Sequence, residues 1–121
     1  MNSAMSLLQL QANMLGVALT EEKLQKFALY LSLLLEWNKK INLTAIKDTE
    51  QIIIKHFADS LSLLQYMDIP KNAAVIDVGT GAGFPGIPLA IARPDIRLML
   101  LDSLGKRMMF LQTVVQRLSI A

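Results

Sequence analysis

The chain has 121 residues, no cysteine and a single histidine, which excludes disulfides, thiolate metal centres and histidine-rich metal sites. Hydrophobic residues make up 53% of it, enough for a real core, yet no apolar run reaches membrane-spanning length and no secretory pattern opens the chain. A net charge of +2 does not by itself mark a nucleic-acid binder, but its distribution is uneven: residues 1–70 carry six Lys against seven Asp and Glu, residues 71–121 six Lys and Arg against three Asp. A cytoplasmic protein with no membrane partner is expected. The basic excess of the second half is either a solvated helix face or a phosphate-facing patch.

From Met5, the apolar positions Leu7, Leu8, Leu10, Met14 and Leu15 predict a helix closed by Gly16. Thr20 is the expected N-cap of a second helix, with Glu21 and Glu22 placed to complement its dipole. Leu24, Phe27, Ala28, Leu31, Leu34 and Leu35 then recur at helical spacing, and the pattern ends near Trp37-Asn38-Lys39-Lys40. Ile41-Asn42-Leu43-Thr44 carries no helical stripe and reads as an ordered connector. Asp48 with Gln51 resembles a capping box opening a helix through Ile52, Ile53, Ile54 and Phe57. His56 and Asp59 share one face of it and are expected to pair. A further short helix is expected over Ser60–Met67, before Asp68-Ile69-Pro70-Lys71-Asn72 breaks the pattern.

The second half is organised around Val75-Ile76-Asp77-Val78-Gly79-Thr80-Gly81-Ala82-Gly83-Phe84-Pro85-Gly86. The β-branched run Val75 to Val78 predicts a strand buried on both faces. Glycines at 79, 81, 83 and 86 follow at once, as in a turn that cradles a ligand. Ile87 to Ala92 continues as a helix with Pro88 in its first turn. Arg93-Pro94-Asp95 is a turn, Ile96 to Leu101 a second, parallel strand, and Lys106 to Leu118 a last helix with Met109, Phe110, Val114 and Leu118 inward.

Two cofactor classes fit this strand–loop–helix. Gly81 to Gly86 is G-x-G-x-x-G, the dinucleotide fingerprint. Asp77 to Gly83 is equally an acid-x-G-x-G-x-G, the pattern of S-adenosylmethionine-dependent methyltransferases. In either case Asp102, ending the second strand, is placed to accept ribose hydroxyls. Asp77 just upstream of the glycines disfavours a pyrophosphate and suits a ligand ammonium, which favours the methyl donor.

Three blocks together resemble the small-subunit ribosomal RNA methyltransferase G family, also called GidB: Trp37-Asn38 with Ile41-Asn42-Leu43-Thr44; His56 with Asp59-Ser60; and Ile76 to Pro88 running on to Leu101-Asp102-Ser103-Leu104-Gly105-Lys106-Arg107. The resemblance spans roughly Leu24 to the C-terminus. It implies an α/β fold: an N-terminal helical region over residues 1–70, then over residues 71–121 the first βαβ unit and helix of a truncated Rossmann-like methyltransferase sheet. It also implies S-adenosylmethionine as cofactor and methylation of a guanine N7 in small-subunit (16S) rRNA, free or in the 30S particle.

Carried onto this sequence, Gly79, Gly81 and Gly83 let the backbone approach the methionine part of the donor, with Thr80 in the same loop. Phe84 borders the cofactor, Asp77 faces its ammonium and Asp102 its ribose. No metal is expected, and no residue is assigned a catalytic role, because N7 methylation releases no proton at that nitrogen. Trp37 and Phe57 are expected in the core, while Lys106 and Arg107 are either RNA contacts or a solvated pair. Family members continue past Ala121, so the isolated chain is expected to be inactive and to self-associate through its open sheet edge. A non-catalytic cofactor-binding or scaffold module and a nicotinamide oxidoreductase fragment stand as alternatives.

Overall fold

The computed structural model describes residues 2–120. Helix α1 spans Ser3–Met14 and α2 Glu21–Asn38. A continuous helical rod follows, made of α3 (Thr49–Ile52), a π-helical segment (Ile53–Ala58) and α4 (Asp59–Tyr66). The remainder is β1 (Ala74–Val78), α5 (Gly86–Ala92), β2 (Arg97–Leu101) and α6 (Gly105–Arg117). The fold is α/β, with a helical N-terminal region and a two-stranded parallel sheet.

The local signals act as their chemistry dictates. Gly16 takes φ +75°, its amide donates to the carbonyl of Asn13 and that of Val17 to Ala12, a Schellman end for α1. The Thr20 hydroxyl accepts from the amide of Lys23 and the Asp48 carboxylate from that of Gln51, capping α2 and α3. The stripe of α1 differs from the one expected. Met5, Leu8 and Ala12 are buried, whereas Leu10 and Met14 face solvent. The small Ala12 continues the inward face where α1 lies against α2 and the π-helical segment.

A second departure is the rod itself. The expected break before Ser60 does not occur, because the wider π turns carry the helix through without a stop. Phe57 turns fully into the core, against Phe27 and Tyr30 at ring-centroid distances of 5.2 Å each. His56 turns toward the connector instead. Its Nε2 lies 2.8 Å from the Thr44 hydroxyl, and Asp59 acts on it through charge rather than as the expected partner.

Asn38, buried at the end of α2, holds that connector. Its side-chain oxygen accepts from the amides of Leu43 and Thr44, and its side-chain nitrogen donates to the carbonyl of Thr44. A segment with no secondary structure of its own thus has its backbone groups satisfied by one side chain.

In the sheet, Val75 pairs with Leu98 and Asp77 with Leu100 on the face covered by α5. Ile76 opposite Met99 and Val78 opposite Leu101 form the other face, on which Ile76 is 60% and Val78 74% exposed. The expectation of a strand buried on both faces is therefore corrected: among the described residues, α5 covers only one. In and just after α6, Phe110, Leu111, Val114 and Leu118 point inward while Met109 is exposed, since it lies more than half a turn round the helix from Leu111. Phe110 meets Trp37 of α2 at 5.8 Å, and one hydrophobic core runs from Met5 to Leu118.

Asn38→Ala leaves the buried amide of Leu43 and the half-buried amide of Thr44 without an acceptor and is expected to cost about 1–3 kcal/mol in urea unfolding; a midpoint equal to the parent's would contradict the role of Asn38. Burial holds the His56 imidazole below its ordinary pKa, partly offset by the charge of Asp59. The unfolded chain then binds the proton more readily, so stability is full above the ordinary histidine range and falls as pH drops through it toward the lowered folded value. The urea midpoint is expected to be lower at about pH 5.5 than at about pH 7.5, and His56→Gln to flatten that difference. The same difference in the variant would assign it to other groups.

Candidate cofactor-binding site

The glycine loop leaves β1 and is tied at once to the end of β2. The amides of Gly79 and Thr80 donate to the carbonyl of Leu101 at 2.8 and 3.3 Å, and those of Gly83 and Phe84 to the carbonyl of Thr80. The loop therefore turns tightly at the C-terminal edge of the parallel strands, where open α/β sheets present their ligand crevices.

The glycines do two different things. Gly81 sits at φ +61° with nothing within 4 Å of the position a Cβ would take, and Gly79 is equally open. Gly83, at φ +103°, has its space used from within the protein. A Cβ there would lie 2.6 Å from Cδ1 of Ile87 and 2.7 Å from the hydroxyl of Tyr30. Openness toward a ligand belongs to Gly79 and Gly81, and close packing to Gly83.

Tyr30 is fully buried and its hydroxyl donates to the carbonyl of Ala82 at 2.6 Å. Burial, and after it the charge of Asp77, pushes its pKa well above the ordinary tyrosine value, so it stays a neutral donor. Thr80 is buried too, and its hydroxyl has no hydrogen-bond partner among the described residues. Phe84 is half-buried. Its ring stacks on His56 at 4.4 Å and 10° and meets Tyr30 and Phe57 at 5.8 and 6.0 Å. The residue expected to border a ligand thus also joins the loop to the helical rod.

Both candidate carboxylates are held by backbone amides. Asp77 Oδ2 accepts from the amide of Gly86 at 2.9 Å and closes the amino end of α5. A Cβ at Gly86 would lie 2.9 Å from that same oxygen and 2.9 Å from Cδ2 of Leu100, so this fourth glycine is fixed by the carboxylate and the sheet. Asp102 accepts through Oδ1 from the amide of Leu104 at 3.0 Å and through Oδ2 from that of Gly81 at 2.9 Å, with Arg107 Nη1 at 3.7 Å from Oδ2. The Leu104 amide, then the Gly81 amide and Arg107, hold it below the usual carboxylate range against the opposing effect of burial. It is ionised at neutral pH. Each of its oxygens has taken one N–H and keeps a lone pair, while the side chain itself is only 3% exposed.

Asp77, Gly79, Thr80, Gly81, Gly83, Phe84 and Asp102 are therefore brought together around one loop. Tyr30 was not legible as part of this arrangement, because it stands outside the apolar stripe of Leu24, Phe27, Ala28 and Leu31. Gly86 and Asn38 stood in the motifs, but nothing in the sequence showed the contacts they make. No group of three or more metal-ligating side chains occurs among the described residues, and no helix there is long and apolar enough to cross a membrane.

Residues 23–121 match a family model described as rRNA small subunit methyltransferase G, GidB. The chain is 48% identical over 120 residues to the ribosomal RNA small subunit methyltransferase G of Desulforamulus reducens, covering 99% of this chain and 50% of that protein. It is 54% identical over 105 residues to that of Acetivibrio thermocellus, covering 87% and 43%, and 53% identical over 105 residues to that of Clostridium perfringens strain SM101, covering 87% and 44%. The chain spans about half the length of the curated relatives it matches. With a glycine loop between two amide-bound carboxylates and a family match over most of its length, the chain belongs to the rRNA small subunit methyltransferase G family.

Proposed function

We propose that this chain carries the S-adenosylmethionine-binding half of a methyltransferase acting on a guanine N7 of small-subunit rRNA. Residues 71–121 hold the cofactor and residues 1–70 brace its loop. One observation carries the reading: Asp102 clasps the amide of Gly81 at the point where the loop backbone is open. The donor set suits the methyl donor. Asp102 keeps lone pairs for ribose hydroxyls, which reach it once its cover shifts because the side chain is 3% exposed; Gly79 and Gly81 leave the backbone uncovered, and no donor among the described residues reaches Oδ1 of Asp77, which suits an ammonium.

The same geometry argues against the nicotinamide alternative. A dinucleotide's pyrophosphate uses the free amides at the amino end of the helix after the loop. Here that end is closed by the carboxylate of Asp77, which occupies the Gly86 amide and repels a phosphate.

Bound at this loop, the cofactor supplies a methyl group on a positively charged sulfur. Guanine N7 offers a free lone pair and loses no proton, so the protein's contribution is orientation, worth up to about 7–11 kcal/mol when alignment is complete. Asp102 and the loop amides fix one partner of that alignment. His56 needs no catalytic role: its Nε2 is engaged by Thr44 and its ring by Phe84.

Gly81→Val places a branched side chain in the left-handed region and in the open space of the loop. Isothermal titration is expected to show S-adenosylhomocysteine binding lost in this variant with helical circular dichroism retained; unchanged affinity would remove the loop from the cofactor site. Asp102→Asn is expected to weaken the same binding by ten- to a hundredfold, about 1.5–3 kcal/mol. Asp95→Asn, which alters a turn held by Arg93 and the Asn72 amide at the far end of the strands, is expected to leave it unchanged. Equal effects would overturn the assignment of Asp102, and tight binding of NAD by the parent would overturn the cofactor.

A further inference from the structure

Beside the cofactor loop, three separate stretches of chain bring cations to one surface. Lys40 follows α2, Lys47 lies in the connector, and Lys106 and Arg107 open α6. Two adjoining clefts of about 320 and 440 Å³ share Asn42 and Arg107. Lys40 and Lys106 complete the charge of one and Lys47 that of the other, and no acidic residue lines either. A chain with a net charge of only +2 thus gathers four cations on one face.

Two features separate this face from an ordinary solvated lysine surface. Its floor is fixed: Asn38 pins the connector, and the Lys40 ammonium lies 6.0 Å from the centre of the Trp37 ring. Its charges are also incompletely answered. Arg107 Nη1 pairs loosely with Asp102 at 3.7 Å, but its buried Nε has no hydrogen-bond partner among the described residues, and that carboxylate is already engaged by two amides. The first turn of α6 carries Lys106 and Arg107 and no acid, so among the described residues the one carboxylate at this helix end is Asp102 on the Leu104 amide, against two cations.

We propose that Lys40, Lys47, Lys106 and Arg107, arranged around Asn42, form the surface that grips the phosphate backbone of the RNA substrate beside the cofactor loop. This rests on the functional reading above, which supplies RNA as the polyanion. Phosphate contacts of this kind fix register without reading sequence, and Asn42, exposed between the clefts, is the polar side chain within reach of a sugar or base edge.

The test is fluorescence anisotropy of the 121-residue chain with a short, labelled single-stranded RNA of mixed sequence over a series of salt concentrations. With four phosphate contacts, the log–log slope of affinity against salt is expected near −2 to −3, at about −0.7 per contact. The double variant Lys47→Ala, Lys106→Ala is expected to weaken binding and flatten the slope by about 1.4. The control Lys71→Ala, Arg117→Ala, which removes two exposed cations at the opposite end of the strands and of α6, is expected to change neither. Glutamine at positions 47 and 106 repeats the test with the side-chain bulk largely kept, should alanine disturb folding.

Equal effects of the two double variants, no measurable RNA binding by the parent, or displacement of the RNA by anionic lipid vesicles would each overturn the proposal. S-adenosylhomocysteine titration of the same proteins separates the two readings. Its failure in the parent contradicts the cofactor assignment, whereas its persistence in the patch variant alongside weakened RNA binding supports the surface.

Discussion

A hydroxyl from the middle of α2 reaches across the molecule to the carbonyl of Ala82, and the glycine loop is built on that 2.6 Å contact. Tyr30 is fully buried, so its hydrogen bond is made where water cannot compete and where an unmade bond carries the full cost of desolvation. Its ring lies on Phe57 and against Phe84, and its hydroxyl occupies the space that any side chain at residue 83 would need. The helical region therefore does more than cover the sheet. It fixes the inner side of a loop whose outer side, at Gly79 and Gly81, stays free for a ligand.

The charges around the loop follow from the same constraint. Asp77 and Asp102 both hold backbone amides, one at the start of α5 and one at Gly81, so the loop is spanned by carboxylates rather than by a ring of free N–H groups. Such a site suits hydroxyl and ammonium donors and repels a pyrophosphate. The cations lie outside it, around Asn42 and the first turn of α6. A negative inner site beside a positive outer face is the charge arrangement on which the proposed cofactor and RNA assignments both rest.

Much of this was legible in the sequence. Thr20, Asp48 and Gly16 announced helix ends because capping is local chemistry, read over three or four residues. The glycine motif announced the loop for the same reason. Contacts between distant segments left weaker traces. Tyr30 stood outside the apolar stripe, although its hydroxyl meets a carbonyl 52 positions away, and Asn38 marked the end of a helical pattern without showing that it anchors the next connector.

Periodicity also misled in specific ways. Ala12 carries too little hydrophobicity to outweigh Leu10 and Met14, yet it is the one of the three that is buried. Val75 to Val78 has the composition of a strand covered twice, while α5 covers only the side bearing Val75 and Asp77. The π-helical turns place His56 beside Thr44 and leave Asp59 without that contact, which no fixed helical period anticipates.

The central claim, that a loop braced by Tyr30 and clasped by Asp102 is the cofactor site, is tested most directly by following backbone amide resonances during titration with S-adenosylhomocysteine. Saturable shifts centred on Gly79, Thr80, Gly81, Asp102 and Leu104, with the amides of α1 and of the turn at Asn72 and Asp95 little moved, are the expected result. Saturable shifts centred away from the loop, or none at ligand concentrations that saturate a full-length relative, would contradict it.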